Sequence, residues 1–169
     1  MRKTICILLC AALMLTLLSC KEQADTIREP ASFYYRTPLS QYETARTVIA
    51  PETREIISCD KDIHKILDLY LSGPTSETLR SPFPVNTTLV SVLQEDNKVI
   101  IVLSSEFSTL TGYDLNIACA CICLTIFHLT SYDDVSIRAG DSLLDGNVSV
   151  DLSRNDLLLS DESFIQETS

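Results

Sequence analysis

The chain has 169 residues, 21% of them charged, and a formal net charge of −10. That surplus of acids argues against nucleic acid, which needs a basic stripe, and against lying flat on anionic lipid, which needs a polybasic patch. Four glycines, none in a GxGxxG or GxxxxGKS/T spacing, leave no phosphate cradle.

At the N-terminus, Arg2 and Lys3 precede an apolar run from Thr4 to Leu18. At about 15 residues it is shorter than the roughly 20 that span a bilayer as a helix. A basic start, a short apolar core and small residues at its end read as a secretory signal over 1–19. Leu17-Leu18-Ser19-Cys20 resembles a bacterial lipobox, with an apolar residue three before the cysteine and a small one directly before it. Cys20 is therefore the expected lipidation site, and two acyl chains suffice for stable anchoring. Residues 20–30 read as lipidated cysteine plus a polar tether, reaching about 35 Å when fully extended. The expected location is the extracytoplasmic face of the bacterial cytoplasmic membrane.

The folded part is expected over 31–159 as a single domain, followed by a polar tail over 160–169. Ala31 to Thr37 is aromatic-rich and reads as a strand, and Arg46 to Ile57 as extended chain broken by Pro51. Asp60 is expected to cap a helix whose Ile63, Ile66, Leu67, Tyr70 and Leu71 share one face, stopped by Gly73-Pro74. Thr88 to Gln94 and Val99 to Leu103 read as a hairpin turning at Asp96-Asn97, the second strand apolar throughout and so more buried. Thr111 and Asp114 resemble a capping box, which opens a second helix from Asp114 to Thr130. Val135 to Ala139 is a strand, and the segments around Asp145-Gly146 read as a C-terminal hairpin. The expected class is α+β: two helices packed on a small, mostly antiparallel sheet in β-α-β-β-α-β order, plus that hairpin.

Several short stretches, taken in order, resemble the GerMN domain. They are Thr53-Arg54-Glu55-Ile56, Tyr70-Leu71-Ser72-Gly73-Pro74, Ser81-Pro82-Phe83-Pro84, Leu103-Ser104-Ser105-Glu106-Phe107 and Val135 to Gly140. The likeness extends over roughly Phe33 to Leu158. The resemblance implies a compact extracytoplasmic α+β domain similar to the ring-building modules of secretion systems, often behind a lipidated cysteine and linked to sporulation or germination. It brings no catalytic motif with it.

The residues themselves assemble no chemistry either. His64 and His128, the only histidines, lack an i+4 partner and read as surface or boundary residues. Arg54 and Arg80 flank core elements, which suggests structural pairing with Asp or Glu. Cys119, Cys121 and Cys123 alternate, but on a helix Cys121 points away from the other two, so no tetrahedral thiolate set forms. Packing is the expected role of all three, and a disulfide between Cys59 and Cys121 is a possibility that the even cysteine count allows. No catalytic residue, cofactor or metal is expected. The sequence points to a non-catalytic interaction domain with a protein partner or homo-oligomer. The alternative is a small-ligand-binding envelope lipoprotein.

Overall fold

The computed structural model describes residues 28–41, 47–57, 62–140 and 148–157. The signal, Cys20 and most of the tether lie outside these residues, as do Cys59, Asp60, Asp145-Gly146 and the tail.

Strands β1 (Arg28–Arg36) and β2 (Ile49–Ile57) pair antiparallel, from Arg28 opposite Ile57 to Arg36 opposite Ile49. Ala31, Phe33 and Tyr35 alternate onto the buried face. The Thr37 N–H donates to Val48 O, which sets the phase of the ladder: odd positions of β1 bond to β2 and even positions face away. Pro30 and Pro51 lie opposite Glu55 and Tyr34, both at non-bonded positions. Their missing N–H groups therefore cost the ladder nothing. Pro51 does not break the segment, contrary to expectation.

Helix α1 (Ile63–Leu71) is capped by Asp62, whose carboxylate accepts the His64 N–H at 3.0 Å. The cap thus falls two residues later than Asp60. Ile63, Ile66, Leu67 and Tyr70 are buried, as their spacing predicts. Gly73 follows at φ +91°, a left-handed conformation that glycine adopts without strain.

Strands β3 (Leu89–Glu95), β4 (Lys98–Leu103), β5 (Asp134–Ala139) and β6 (Val148–Ser153) form a second sheet in the order β3-β4-β5-β6. Its β4–β5 pair is parallel and the other two are antiparallel. Val99 to Leu103 is buried on both faces, as its unbroken apolar run predicts. The parallel pair is joined through helix α2 (Gly112–Leu129). Thr111 is the N-cap but makes no side-chain cap bond. Asp114 instead pairs with Arg36 at 2.6 Å, so the capping box is not formed. The C-terminal hairpin is β5–β6; the expected partner segment 142–144 lies outside the described residues.

The α+β class is as expected, but the strands divide between two sheets instead of one. The physical reason lies at the outer edge of β1. There the Tyr34 N–H donates to Thr125 Oγ1 of α2 at 3.0 Å, and the Tyr34 carbonyl accepts from Tyr70 Oη of α1 at 2.6 Å. Arg36 exchanges two backbone bonds with Arg80, at 3.1 and 2.8 Å. Helix side chains and a loop occupy the edge where another strand would otherwise bind. By length and composition α2 could cross a membrane, but here it is packed against β1 and β5 within the core.

Candidate functional site

The stretches that carry the family resemblance converge in space. Arg54 reaches from β2 over the rings of Phe33 and Tyr35, 5.2 and 5.4 Å from their centroids. Its Nη2 donates to Tyr35 Oη at 3.0 Å, Glu52 Oε2 at 3.2 Å and Gly73 O at 2.5 Å, while Nη1 donates to Leu69 O at 3.3 Å. One guanidinium thus ties β2 to the last turn of α1. Glu52 completes the tie by accepting the N–H and hydroxyl of Thr75 in the following loop. Burial alone would raise the Glu52 carboxyl, but the bonds from Thr75 and Arg54 outweigh it and hold the group below its ordinary value. Tyr35 moves the other way: burial pushes its hydroxyl up to about 12 despite the neighbouring Arg54.

Below this tie lies an aromatic cluster. Tyr70 meets Phe33, Tyr35 and Phe83 at 6.0, 5.1 and 5.2 Å, and Phe83 meets Phe107 at 6.4 Å. Phe83 comes from the Ser81 to Pro84 stretch and Phe107 from a short 3-10 turn, Ser105–Thr109. These motif residues therefore shape the core and the loops above it. Arg80 has a structural role too, donating through Nη1 to Glu77 O and Leu79 O.

At the opposite end a second arginine was invisible to sequence reasoning. Arg154, just after β6, donates to Phe127 O, Thr130 O and Tyr132 O at 2.8, 3.2 and 2.6 Å. It also lies 4.8 Å from the Phe127 ring centroid. Its charge closes the negative end of α2, where a cation is favourable. Its fourth partner is Asp133, whose carboxyl is held below the usual range first by Asn97 and then by Arg154. No local pattern announces such a brace, because the carbonyls and the guanidinium are more than twenty residues apart.

The cysteines of α2 are free thiols, all buried. Burial raises Cys119 to about 11 and raises Cys121 and Cys123 well above the ordinary thiol range. They are protonated at neutral pH, and a buried thiol of this kind is inert. Cys121 faces the domain's own core; its possible partner Cys59 lies outside the described residues, as does Cys20. His64 and His128 are both exposed, and His128 sets its ring edge-on to Tyr34 at 6.0 Å.

An open depression of about 650 Å³ is lined by Asp62, Ile63, Gln94 and residues 129–132. The Asp62 carboxylate there is engaged by its own helix, and Tyr132 Oη donates to Gln94 Oε1 at 2.6 Å. Among the described residues no three His, Cys, Asp or Glu side chains converge on a common point. What the molecule does present is surface. Leu39, Val85, Val90, Leu93 and Tyr113 are each at least 41% exposed.

The family model described as "Germane: Sporulation and spore germination" matches residues 32–145. No curated protein matches the chain. Among solved structures, the tandem GerMN domains of the sporulation protein GerM from Bacillus subtilis align with a TM-score of 0.54 at 19% identity. The alignment covers 80% of this chain and 48% of that one, so this chain spans about half of the tandem protein. The first GerMN domain of the same protein aligns with a TM-score of 0.54 at 18% identity, covering 76% of this chain and 99% of that one. At these identities the likeness is one of fold, and it agrees with the resemblance carried by the short motifs. The match extends over more than half of the sequence, and the chain belongs to the Germane family.

Proposed function

We propose that this protein is a lipid-anchored extracytoplasmic lipoprotein whose single Germane domain is a non-catalytic assembly module serving sporulation or germination. The observation that carries the reading is the family match over residues 32–145. The Leu17-Leu18-Ser19-Cys20 sequence supports the anchor. Cys20 stands only eight residues before the first described strand, so the anchored domain is held close to the membrane. The assembly role accords with a domain in which Arg54, Arg154, the Tyr70 cluster and the thiols of α2 are committed to internal packing, while Val85, Val90, Leu93 and Tyr113 stay exposed. The 650 Å³ depression is open, and its Asp62, Gln94 and Tyr132 side chains are already bonded within the domain, which favours assembly over ligand binding.

The anchor is tested by Cys20→Ala. The expected result is loss of fatty-acid labelling and release of the protein from the membrane fraction. A variant that stays membrane-bound and labelled refutes the anchor.

A further inference from the structure

Strand β3 forms an outer edge of the four-stranded sheet. The phase of its ladder is fixed at both ends. Beyond the bulge at Val90, the Ser104 N–H donates to Thr88 O, and at the other end the two-residue turn Asp96-Asn97 joins Glu95 to Lys98. Ser91, Leu93 and Glu95 therefore bond to β4, while the N–H and C=O groups of Val92 and Gln94 point out of the sheet. Among the described residues no group pairs with these outward backbone atoms.

The other outer edges are blunted. β2 carries Pro51 at an outward position, where a donor is missing. On β6 the outward N–H of Ser153 is taken by the Asp156 carboxylate at 2.9 Å. On β3, helix α1 packs against the strand and Val92 faces the core, but among the described residues neither a proline nor a side-chain bond blunts its outward backbone groups beyond the bulge. From Ser81 to Gln94 the chain carries no charged residue, although the protein as a whole is strongly acidic. Val85, Val90 and Leu93, exposed by 84%, 42% and 41%, all lie on that stretch.

We propose that β3 is a self-pairing edge: two copies of this chain join antiparallel through β3 across a two-fold axis at Leu93, doubling the sheet. The proposal rests on the assembly reading and names the partner as a second copy. The register is self-complementary, as a two-fold contact requires. Val92 lies opposite Gln94 of the partner subunit, and their four outward backbone groups satisfy one another. The two Leu93 side chains meet on the outward face, where non-bonded pairs bring Cα atoms to about 4.5 Å. Glu95 falls opposite Ser91 of the partner subunit, not opposite another acid. The two Glu95 residues are four positions apart, about 13 Å along the strand, which exceeds the Debye length of about 8 Å at physiological salt. Charge selects the same place: two acidic copies repel over most of their surface and approach at least cost along the uncharged margin.

The test is oxidative cross-linking of the full-length chain in membranes. The expected result is that Leu93→Cys gives a covalent dimer, because a non-bonded antiparallel pair places Cα atoms within disulfide reach. Its yield should exceed that of wild type and of Ser149→Cys, an exposed position on the same sheet face, by about tenfold or more. Leu93→Lys, which sets two like charges opposite each other, should raise the concentration for half-assembly by about tenfold or more. If wild type assembles by mass but Leu93→Cys cross-links no better than Ser149→Cys, and Leu93→Lys leaves the mass unchanged, the β3 contact is wrong and the assembly reading stands. If wild type remains a single copy at every concentration, the assembly reading itself falls and the β3 contact with it.

Discussion

Tyr70→Phe isolates one hydrogen bond at the centre of the domain. The Tyr70 ring is 0% exposed, and its hydroxyl donates to the Tyr34 carbonyl at 2.6 Å. Burial holds that hydroxyl far above its ordinary pKa, so it is a neutral donor at any working pH. Phenylalanine keeps the ring and its packing on Phe33, Tyr35 and Phe83, but leaves the Tyr34 carbonyl without a partner on an edge that no strand covers. An unsatisfied buried acceptor costs about 1–3 kcal/mol, and this part-buried one falls in the lower part of that range, about 1–2 kcal/mol. For a domain of this size 1 kcal/mol shifts Tm by roughly 2–5 °C, so Tm should fall by about 2–10 °C. Urea unfolding monitored by circular dichroism gives the free energy directly, with an unchanged slope if the denatured state is the same. Thr125→Val removes the acceptor of the Tyr34 N–H, and the two changes meet on one residue of β1. Their double-mutant coupling should exceed about 0.5 kcal/mol. A loss below about 0.5 kcal/mol for Tyr70→Phe, with an unchanged slope, would refute the idea that side chains from the helices stand in for a neighbouring strand.

Arg154→Ala removes donors to three carbonyls at the end of α2 and should cost about 2 kcal/mol, hydrogen bonds to charged groups being worth about 1.5–3. Hydrogen exchange should quicken first in the last turn of α2, and Arg154→Lys should restore little, because a single ammonium cannot span the three carbonyls. Glu52 gives the acid response. Its carboxyl is held below the ordinary value of 4.5, so the folded state binds that proton less readily than the unfolded chain. The associated stability is complete above 4.5 and is lost as pH falls through the lower folded value. Glu52→Gln should therefore flatten the stability profile below pH 4.5; an unchanged acid limb in a pH series of urea melts would contradict the assignment.

Elements defined by local periodicity were legible in the sequence. The apolar face of α1 and the unbroken run of β4 each follow from spacing alone, and each is where the pattern puts it. The alternating thiols at 119, 121 and 123 were also legible as packing, once helical rotation separated them. What sequence could not give was pairing across distance. Pro30 and Pro51 look like strand breakers until the register puts both at non-bonded positions. Asp114 looks like a capping-box acid until Arg36, 78 residues away, claims it. The Arg154 brace and the tie from Arg54 and Glu52 to Leu69, Gly73 and Thr75 depend on contacts no short window spans, although the short stretches around Arg54 and Gly73 had already marked two of its partners. The exposed β3 edge was hidden for a different reason: its alternation announces a strand, but only sheet order shows that among the described residues no strand lies beyond it.

The central claim is that this Germane domain assembles, and the mass of the full-length protein tests it most directly. Sedimentation equilibrium in a density-matched detergent should show the protein mass per particle rising with concentration from one chain to at least two. A single-chain mass across the whole accessible range would contradict it.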